Sequence, residues 1–456
     1  MRTQYLIQES NGATKYIVGK RTIKAPSFIP EIGSLEDIEV ILRFATKAME
    51  EGTPILVSSR NWRASINNPR FTTPSLSRMN LKQLVRRHSV IFYEPPELFR
   101  YTMPELILSY ALDSKRKKKE FKSRLEQGKK DEALKLVPEF YRQFIERQIP
   151  SIHRALFGHS ASKTPSHVAD AWRDDDVKRA YLGYITNILG EASKIPNSAV
   201  VPTVPPLLQS SYEDFLKITR LANLGALFAS ARLPSSPPVY YHLYVDWMCL
   251  RDPDFTPQIT AVLETDLKTH DFCGVVVTLT GYEKAQEKGE FDKVESFVND
   301  IVNVSHQYSR PVILPRSKWE GLYLTDLGVQ AFSSLLNGNR KHKSGGWGGS
   351  KDDQFGKVPL PNVAKEYRIT EVKRIISKYG GFPNILGLPT KPSSIAFNKP
   401  KIYRVEFAKP WRLCHCYEAN LVRDGLIKGV RNPARRYLER SEHPYFGNNY
   451  WSPIGI

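Results

Sequence analysis

Two carboxylates stand where apolar runs end. H-S-V-I-F-Y-E-P-P-E-L-F carries Glu94 just past its apolar stretch, and V-Y-Y-H-L-Y-V-D-W-M carries Asp246 near the end of another. Acids placed at adjacent regions of one site can divide glycosidic chemistry between them. One attacks or electrostatically supports the sugar carbon as the base departs, while the other shuttles the proton. Each also has a plainer reading. Asp246 can cap the following turn or pair with a nearby arginine, and Glu94, ahead of Pro95 and Pro96, can be a loop carboxylate facing solvent.

Three further clusters could bind rather than react. The loop N-R-K-H-K-S-G-G-W-G-G follows the apolar stretch V-Q-A-F-S-S-L-L-N-G and lacks both the Walker order and G-x-G-x-x-G. Its glycines let main-chain amides approach phosphates, and Arg340, Lys341 and Lys343 supply charge; the alternative is a linker at a domain edge. Lys117, Lys118 and Lys119 lie in the densest basic segment, D-S-K-R-K-K-K-E-F-K-S-R-L, which reads as a solvated helix face or a phosphate-contacting helix. Cys414-His415-Cys416, with His443 as a further ligand, is a weak Zn2+ signal. Cysteines one apart on a strand face opposite ways, so both reach one ion only through a turn. A non-metal pair is the competing reading.

The elements that must position these groups alternate. S-F-I, T-P-I-L-V-S-S-R and H-S-V-I-F-Y read as strands before the basic segment. S-A-V-V-P-T-V, V-Y-Y-H-L-Y-V-D-W-M, F-C-G-V-V-V-T-L-T-G, P-V-I-L-P-R-S and V-Q-A-F-S-S-L-L-N-G read as strands after it. Amphipathic helices separate the later ones, which implies parallel pairing with both faces covered. Eight such strands predict an α/β fold, a (β/α)8 TIM-like barrel with a basic helical insertion and a C-terminal appended region. The expected divisions are 1–102 for a hairpin (around Asn11-Gly12) and the first part of the barrel, 103–195 for the insertion, 196–349 for the second part and 350–456 for the appendage. Active sites of such barrels sit at the C-terminal ends of the strands. Thr203, Thr278, Thr280, Arg316, Ser333 and Ser334 therefore join Glu94 and Asp246, with Thr203, Thr280, Ser333 and Arg316 as substrate contacts.

Composition narrows the partner. The 456 residues are 41% hydrophobic, 11% aromatic and 25% charged, with 66 Lys and Arg against 47 Asp and Glu, a net charge of +19. An excess of this size favours a polyanion, because each neutralised phosphate releases condensed counterions. No apolar run is long enough to span a membrane, and the opening M-R-T-Q-Y-L-I-Q lacks the apolar core of a secretory signal. Four cysteines make no disulfide scaffold, so a reducing cytoplasm is the expected location.

Taken in order, these motifs resemble the tRNA-guanine transglycosylase superfamily. A-P-S-F-I-P-E-I-G-S matches the family's T-P-x-F-M-P-V-G-T, and F-Y-E-P-P-E-L-F falls on T-D-S-G-G-F-Q, so Glu94 takes the place of its catalytic aspartate. V-T-L-T-G-Y-E loosely resembles G-G-L-x-V-G-E. G-V-Q-A-F-S resembles G-V-D-x-F-D with both aspartates replaced, by Gln330 and Ser333, and C-H-C resembles C-x-C-x-x-C with Ala419 in place of the third cysteine. The resemblance implies a divergent branch closest to the enzymes that exchange guanine for a 7-deazaguanine in DNA. It implies a base-exchange enzyme with DNA favoured over tRNA, a 7-deazaguanine base as co-substrate and a partner protein as an option. Loss of both aspartates equally suits a non-catalytic nucleic-acid-binding subunit, and a barrel glycosidase of small molecules is a third reading.

Overall fold

The computed structural model describes residues 3–335 apart from 43–48, 70–79, 95–111, 138–141, 151–174 and a few single or paired positions; beyond 335 it describes 357–360, 365–368, 419, 420 and 423. The chain opens with a three-stranded antiparallel sheet, β1 (Leu6–Gln8), β2 (Thr14–Val18) and β3 (Arg21–Ala25). Sequence reading expects only the first two of these. The third, R-T-I-K-A, buries only Ile23 and Ala25, in strict alternation with more exposed neighbours.

Eight strands then form one parallel sheet. They are β4 (Ser27–Ile32), β5 (Gly52–Val57), β6 (His88–Tyr93), β7 (Ser198–Val201), β8 (Tyr241–Asp246), β9 (Val275–Thr280), β10 (Val312–Leu314) and β11 (Ala331–Leu335). The hydrogen-bonded order β7-β6-β5-β4-β11-β10-β9-β8 is sequence order around a ring. Every residue of these strands is buried, as a sheet covered on both faces requires. The barrel expectation holds, three strands before the charged segment and five after it.

Closure between β7 and β8 is interrupted, and the sequence explains why. Parallel bridges join Val200 to Val239 and Leu207 to Val245, but P-T-V-P-P between them contains three prolines that cannot donate to a ladder. His242, on β8 opposite this gap, instead finds an amide from the outer layer. Asn223 Oδ1 accepts from the His242 amide at 2.8 Å, and its Nδ2 donates to the His242 carbonyl at 2.9 Å. Asn223→Ala strands both buried backbone groups, so it should destabilise the fold by about 2–4 kcal/mol. A denaturant midpoint that falls with unchanged slope would show this.

Alternate strand residues divide into two layers. Ile29, Leu56, Ile91, Val201, Tyr240, Val276, Ile313 and Ala331 pack in the lumen with Tyr16, Val18 and Ile23 of the opening sheet. Phe28, Ile55, Val90, Phe92, Leu243, Val277 and Phe332 face the helices. The opening sheet plugs the N-terminal end. Gly19 turns it at φ 61°, so close to Asn197 that a Cβ there would lie 2.7 Å from the Asn197 Cα. Tyr16 also reaches the Ser27 hydroxyl at 2.5 Å.

The helices that matter for the site are α1 (Ser59–Ile66) after β5, α2 (Lys115–Glu126) and α3 (Asp175–Ala192) between β6 and β7, α4 (Tyr212–Ala231) after β7, and a 3-10 turn (Trp247–Arg251) after β8. No described helix is long and apolar enough to cross a membrane.

Candidate functional site at the barrel mouth

The C-terminal ends of the strands collect polar groups above an apolar lumen. Asp246 is the last residue of β8 and pairs in register with Thr280, the last of β9. It lies an even number of residues from lumen-facing Tyr240, so its side chain rises on the lumen side of the pleat. Its Oδ1 accepts from the Met248 amide at 3.0 Å, which caps the 3-10 turn. The capping role read from the sequence is therefore real, and the same bond fixes the carboxylate at the mouth.

The next residue holds that turn in place. Trp247 is buried, with the Arg251 guanidinium 4.8 Å and the Lys288 ammonium 5.6 Å from its ring centroid. Gly281, just past Thr280, is left-handed at φ 75°, and a Cβ there would lie 2.4 Å from Trp247 Cδ1. Only glycine lets the β9 end and the Asp246 turn meet. Nearby Cys249 is no nucleophile: burial, reinforced by Asp246, pushes its thiol far up.

Arg316 follows β10 and adopts φ 56°, a conformation rarely taken by a side-chain-bearing residue. Its surroundings impose it. The Ser333 hydroxyl accepts from the Arg316 amide at 2.9 Å, and Tyr282 donates to its carbonyl at 3.2 Å. Its Nε and Nη2 fork onto Glu31 at 2.6–3.0 Å, and both side chains are nearly buried. The structure thus brings Arg316 together with Ser333, and Asp246 with Thr280. Thr203 is buried in the proline-rich segment after β7, its carbonyl accepting from Tyr181 at 3.2 Å.

Glu94 behaves differently. It follows β6 on the side of Phe92, and it is fully buried rather than solvent-facing. Its Oε1 accepts from the Ser59 amide, the first of α1, at 2.5 Å, and its Oε2 accepts from the Tyr184 hydroxyl of α3 at 2.7 Å. A carboxylate at a helix N-terminus is favoured by the helix dipole. These partners lie on the helix side of the sheet, behind the lumen that Asp246 faces.

Three groups escape the sequence reading. Glu31 is one; the expected strand ends at Ile29, whereas β4 runs on to Ile32. The others are Tyr93 and His242, which meet at Thr278 inside the lumen. Tyr93 Oη and His242 Nε2 each lie 2.9 Å from Thr278 Oγ1, and His242 Nδ1 lies 2.6 Å from the Pro202 carbonyl. Burial lowers the His242 pKa to about 4, so the ring is neutral at pH 7. A carbonyl only accepts, so Nδ1 carries the proton and Nε2 accepts from Thr278. Thr278 in turn accepts from Tyr93, and every direction in the network is set. The chain of bonds pins Pro202 beside Thr203 and braces the mouth from below.

Lys117 and Lys118 are half-buried and Lys119 exposed on α2. Arg340, Lys341, Lys343, Cys414, Cys416 and His443 lie outside the described residues, and among those described no group of three metal-ligating side chains is assembled. Ala419 is fully buried in the outer apolar layer. A cleft of about 450 Å³ opens at the other end of the barrel, lined by Lys15, Lys24 and Gln330 among others. It lies at the N-terminal face, where barrels keep stability rather than chemistry, and Lys15 is already paired with Glu9. The mouth is the better candidate. Neither the protein-family models nor the characterised proteins compared with this chain match it.

Proposed function

We propose that this chain is a base-exchange enzyme acting on nucleic acid, a transglycosylase that replaces guanine with a 7-deazaguanine derivative, in DNA rather than tRNA. The observation that carries the reading is a lumen-side acid, Asp246, fixed at the mouth of a (β/α)8 barrel in a chain of charge +19. A glycosidic bond inside a duplex is out of reach, so the nucleotide would be turned out of its stack into the mouth. Asp246 would meet the sugar carbon as the base leaves. Glu94, bonded to Ser59 and Tyr184 on the helix side, would act as a positioning acid behind the mouth, and Thr203, Thr280, Ser333 and Arg316 would line the base. Arg340, Lys341, Lys343 and Lys117 to Lys119 would hold flanking phosphates, as a cytoplasmic protein working alone or with a duplex-opening partner.

Cys414, Cys416 and His443 would be the residues to hold Zn2+. Ala419 sits in apolar packing, and no step of the proposal runs through the ion. A second reading, a non-catalytic nucleic-acid-binding subunit, is favoured by Gln330. Its side chain is spent on the Val312 amide and His306 at the base of the barrel, where it supplies no acid.

Both nucleic-acid readings predict salt-sensitive binding, which a small-molecule glycosidase would lack. Affinity for a duplex measured between about 50 and 200 mM salt should fall by roughly 10³-fold or more if six or more phosphates are contacted. A slope near zero on duplex DNA and tRNA alike would remove both readings together.

A further inference from the structure

We infer that the cleft at the N-terminal face of the barrel is a separate, non-catalytic site that holds a small organic phosphate. The inference does not depend on the chemistry assigned to the mouth. At about 450 Å³ the cleft has the size that small ligands occupy. Lys15 and Lys24 of the opening sheet line one part of it, and Val329 and Gln330, which lead into β11, line another.

Strand register puts two positive charges side by side there. Lys15 on β2 and Lys24 on β3 are direct cross-strand partners. Their neighbours Tyr16 and Ile23 pack in the lumen, so both lysines project together from the opposite face of the sheet. Residues paired this way have Cβ atoms about 5 Å apart, and like charges so placed repel. An incoming anion relieves that repulsion.

The pair is open to such a ligand. Glu9, the one acid among the described lining residues, bonds to Lys15, and both side chains are about a third exposed. An ion pair that wet is worth little and yields to a better partner. Lys24 is exposed and has no acidic partner among the described residues. Arg423 also lines the cleft, but its guanidinium is engaged with Glu50 at 2.5 Å. The two lysines are thus the groups that meet a ligand.

A phosphate suits them better than a carboxylate. It carries close to two charges and three acceptor oxygens, enough to bridge both ammonium groups, and lysine binds phosphate as a point charge. One carboxylate, Glu9, is already present and leaves Lys24 unmatched. The cleft is also larger than a phosphate ion, with Ala13, Pro26 and Val329 for apolar contact, so the ligand carries an organic part beside its charge.

Calorimetry on the full chain tests this with inorganic phosphate, adenosine monophosphate, adenosine and a 5′-phosphorylated oligonucleotide. Wild-type protein should bind the monophosphate at least about tenfold more tightly than adenosine, the usual worth of a hydrogen bond to a charged group. Inorganic phosphate should bind as well, more weakly. Lys24→Ala should cut the preference for the monophosphate to about twofold or less, whereas Lys24→Arg, which keeps the charge, should preserve most of it. Removing one of two facing cations at an exposed position should leave the melting temperature no lower, and Lys15→Ala provides a second variant with the same expected loss. No binding of either small phosphate by wild type, or a preference undiminished in both alanine variants, overturns the site. Binding confined to the oligonucleotide would overturn the small ligand and make this face a nucleic-acid contact.

Discussion

Asp246→Asn should slow base exchange on the order of 10³-fold, the scale seen when an acid that meets the reacting atoms is lost. The control is built into the structure. Asparagine caps a helical turn about as well as aspartate, so the bond to the Met248 amide survives and the melting temperature should move by less than about 2 °C. Glu94→Gln is expected to do less to rate and more to stability. Its described partners, the Ser59 amide and the Tyr184 hydroxyl, lie behind the sheet, and an amide nitrogen facing that helix N-terminus loses an acceptor. Steady-state rates and melting curves on the two variants separate a reacting acid from a structural one. Equal rate losses would place both at the chemistry.

Acid should destabilise the fold between about pH 6.5 and pH 4. His88 and His242 are both buried, with Nδ1 of each at a backbone carbonyl, and burial lowers each pKa to about 4. An unfolded histidine titrates near 6.5, so in that window the unfolded chain binds more protons than the folded one. Stability therefore rises with pH across it and is lost as pH falls, by on the order of 3 kcal/mol for each ring, levelling off below pH 4 as far as these two groups are concerned. Unfolding free energies measured at pH 7 and pH 4.5 on wild type and on His242→Gln would show it. The variant should lose about half of the pH dependence. Identical slopes would place the His242 proton elsewhere.

Much of the barrel was legible because parallel strands buried on both faces leave uninterrupted apolar runs. V-V-V-T-L-T and H-L-Y-V-D end on polar residues, and that punctuation alone located Thr280 and Asp246 at the mouth. Two things were hidden for physical reasons. The expected strand ends at Ile29, but a parallel ladder can lose the one N–H that Pro30 lacks and continue, which carries Glu31 into the barrel. The face taken by Glu94 was equally hidden, because a strand buried on both faces has no polar alternation. Nothing in it says whether Val90 and Phe92 or Ile91 and Tyr93 face the lumen. The partners that decide it, Ser59 and Tyr184, come from 35 and 90 residues away. The Tyr93–Thr278–His242 network could not be read either, since its members lie on three strands and only closure of the ring brings them together.

The most direct trial of the proposed activity is to incubate the full chain with duplex DNA or tRNA and a labelled 7-deazaguanine, then digest the recovered nucleic acid and look for labelled nucleoside. Base exchange at the mouth predicts label in covalent linkage to the sugar, dependent on Asp246, with one guanine released for each base taken up. Salt-sensitive binding with no label incorporated and no guanine released, across both nucleic acids, would contradict it and leave a binding protein on an enzyme-like barrel.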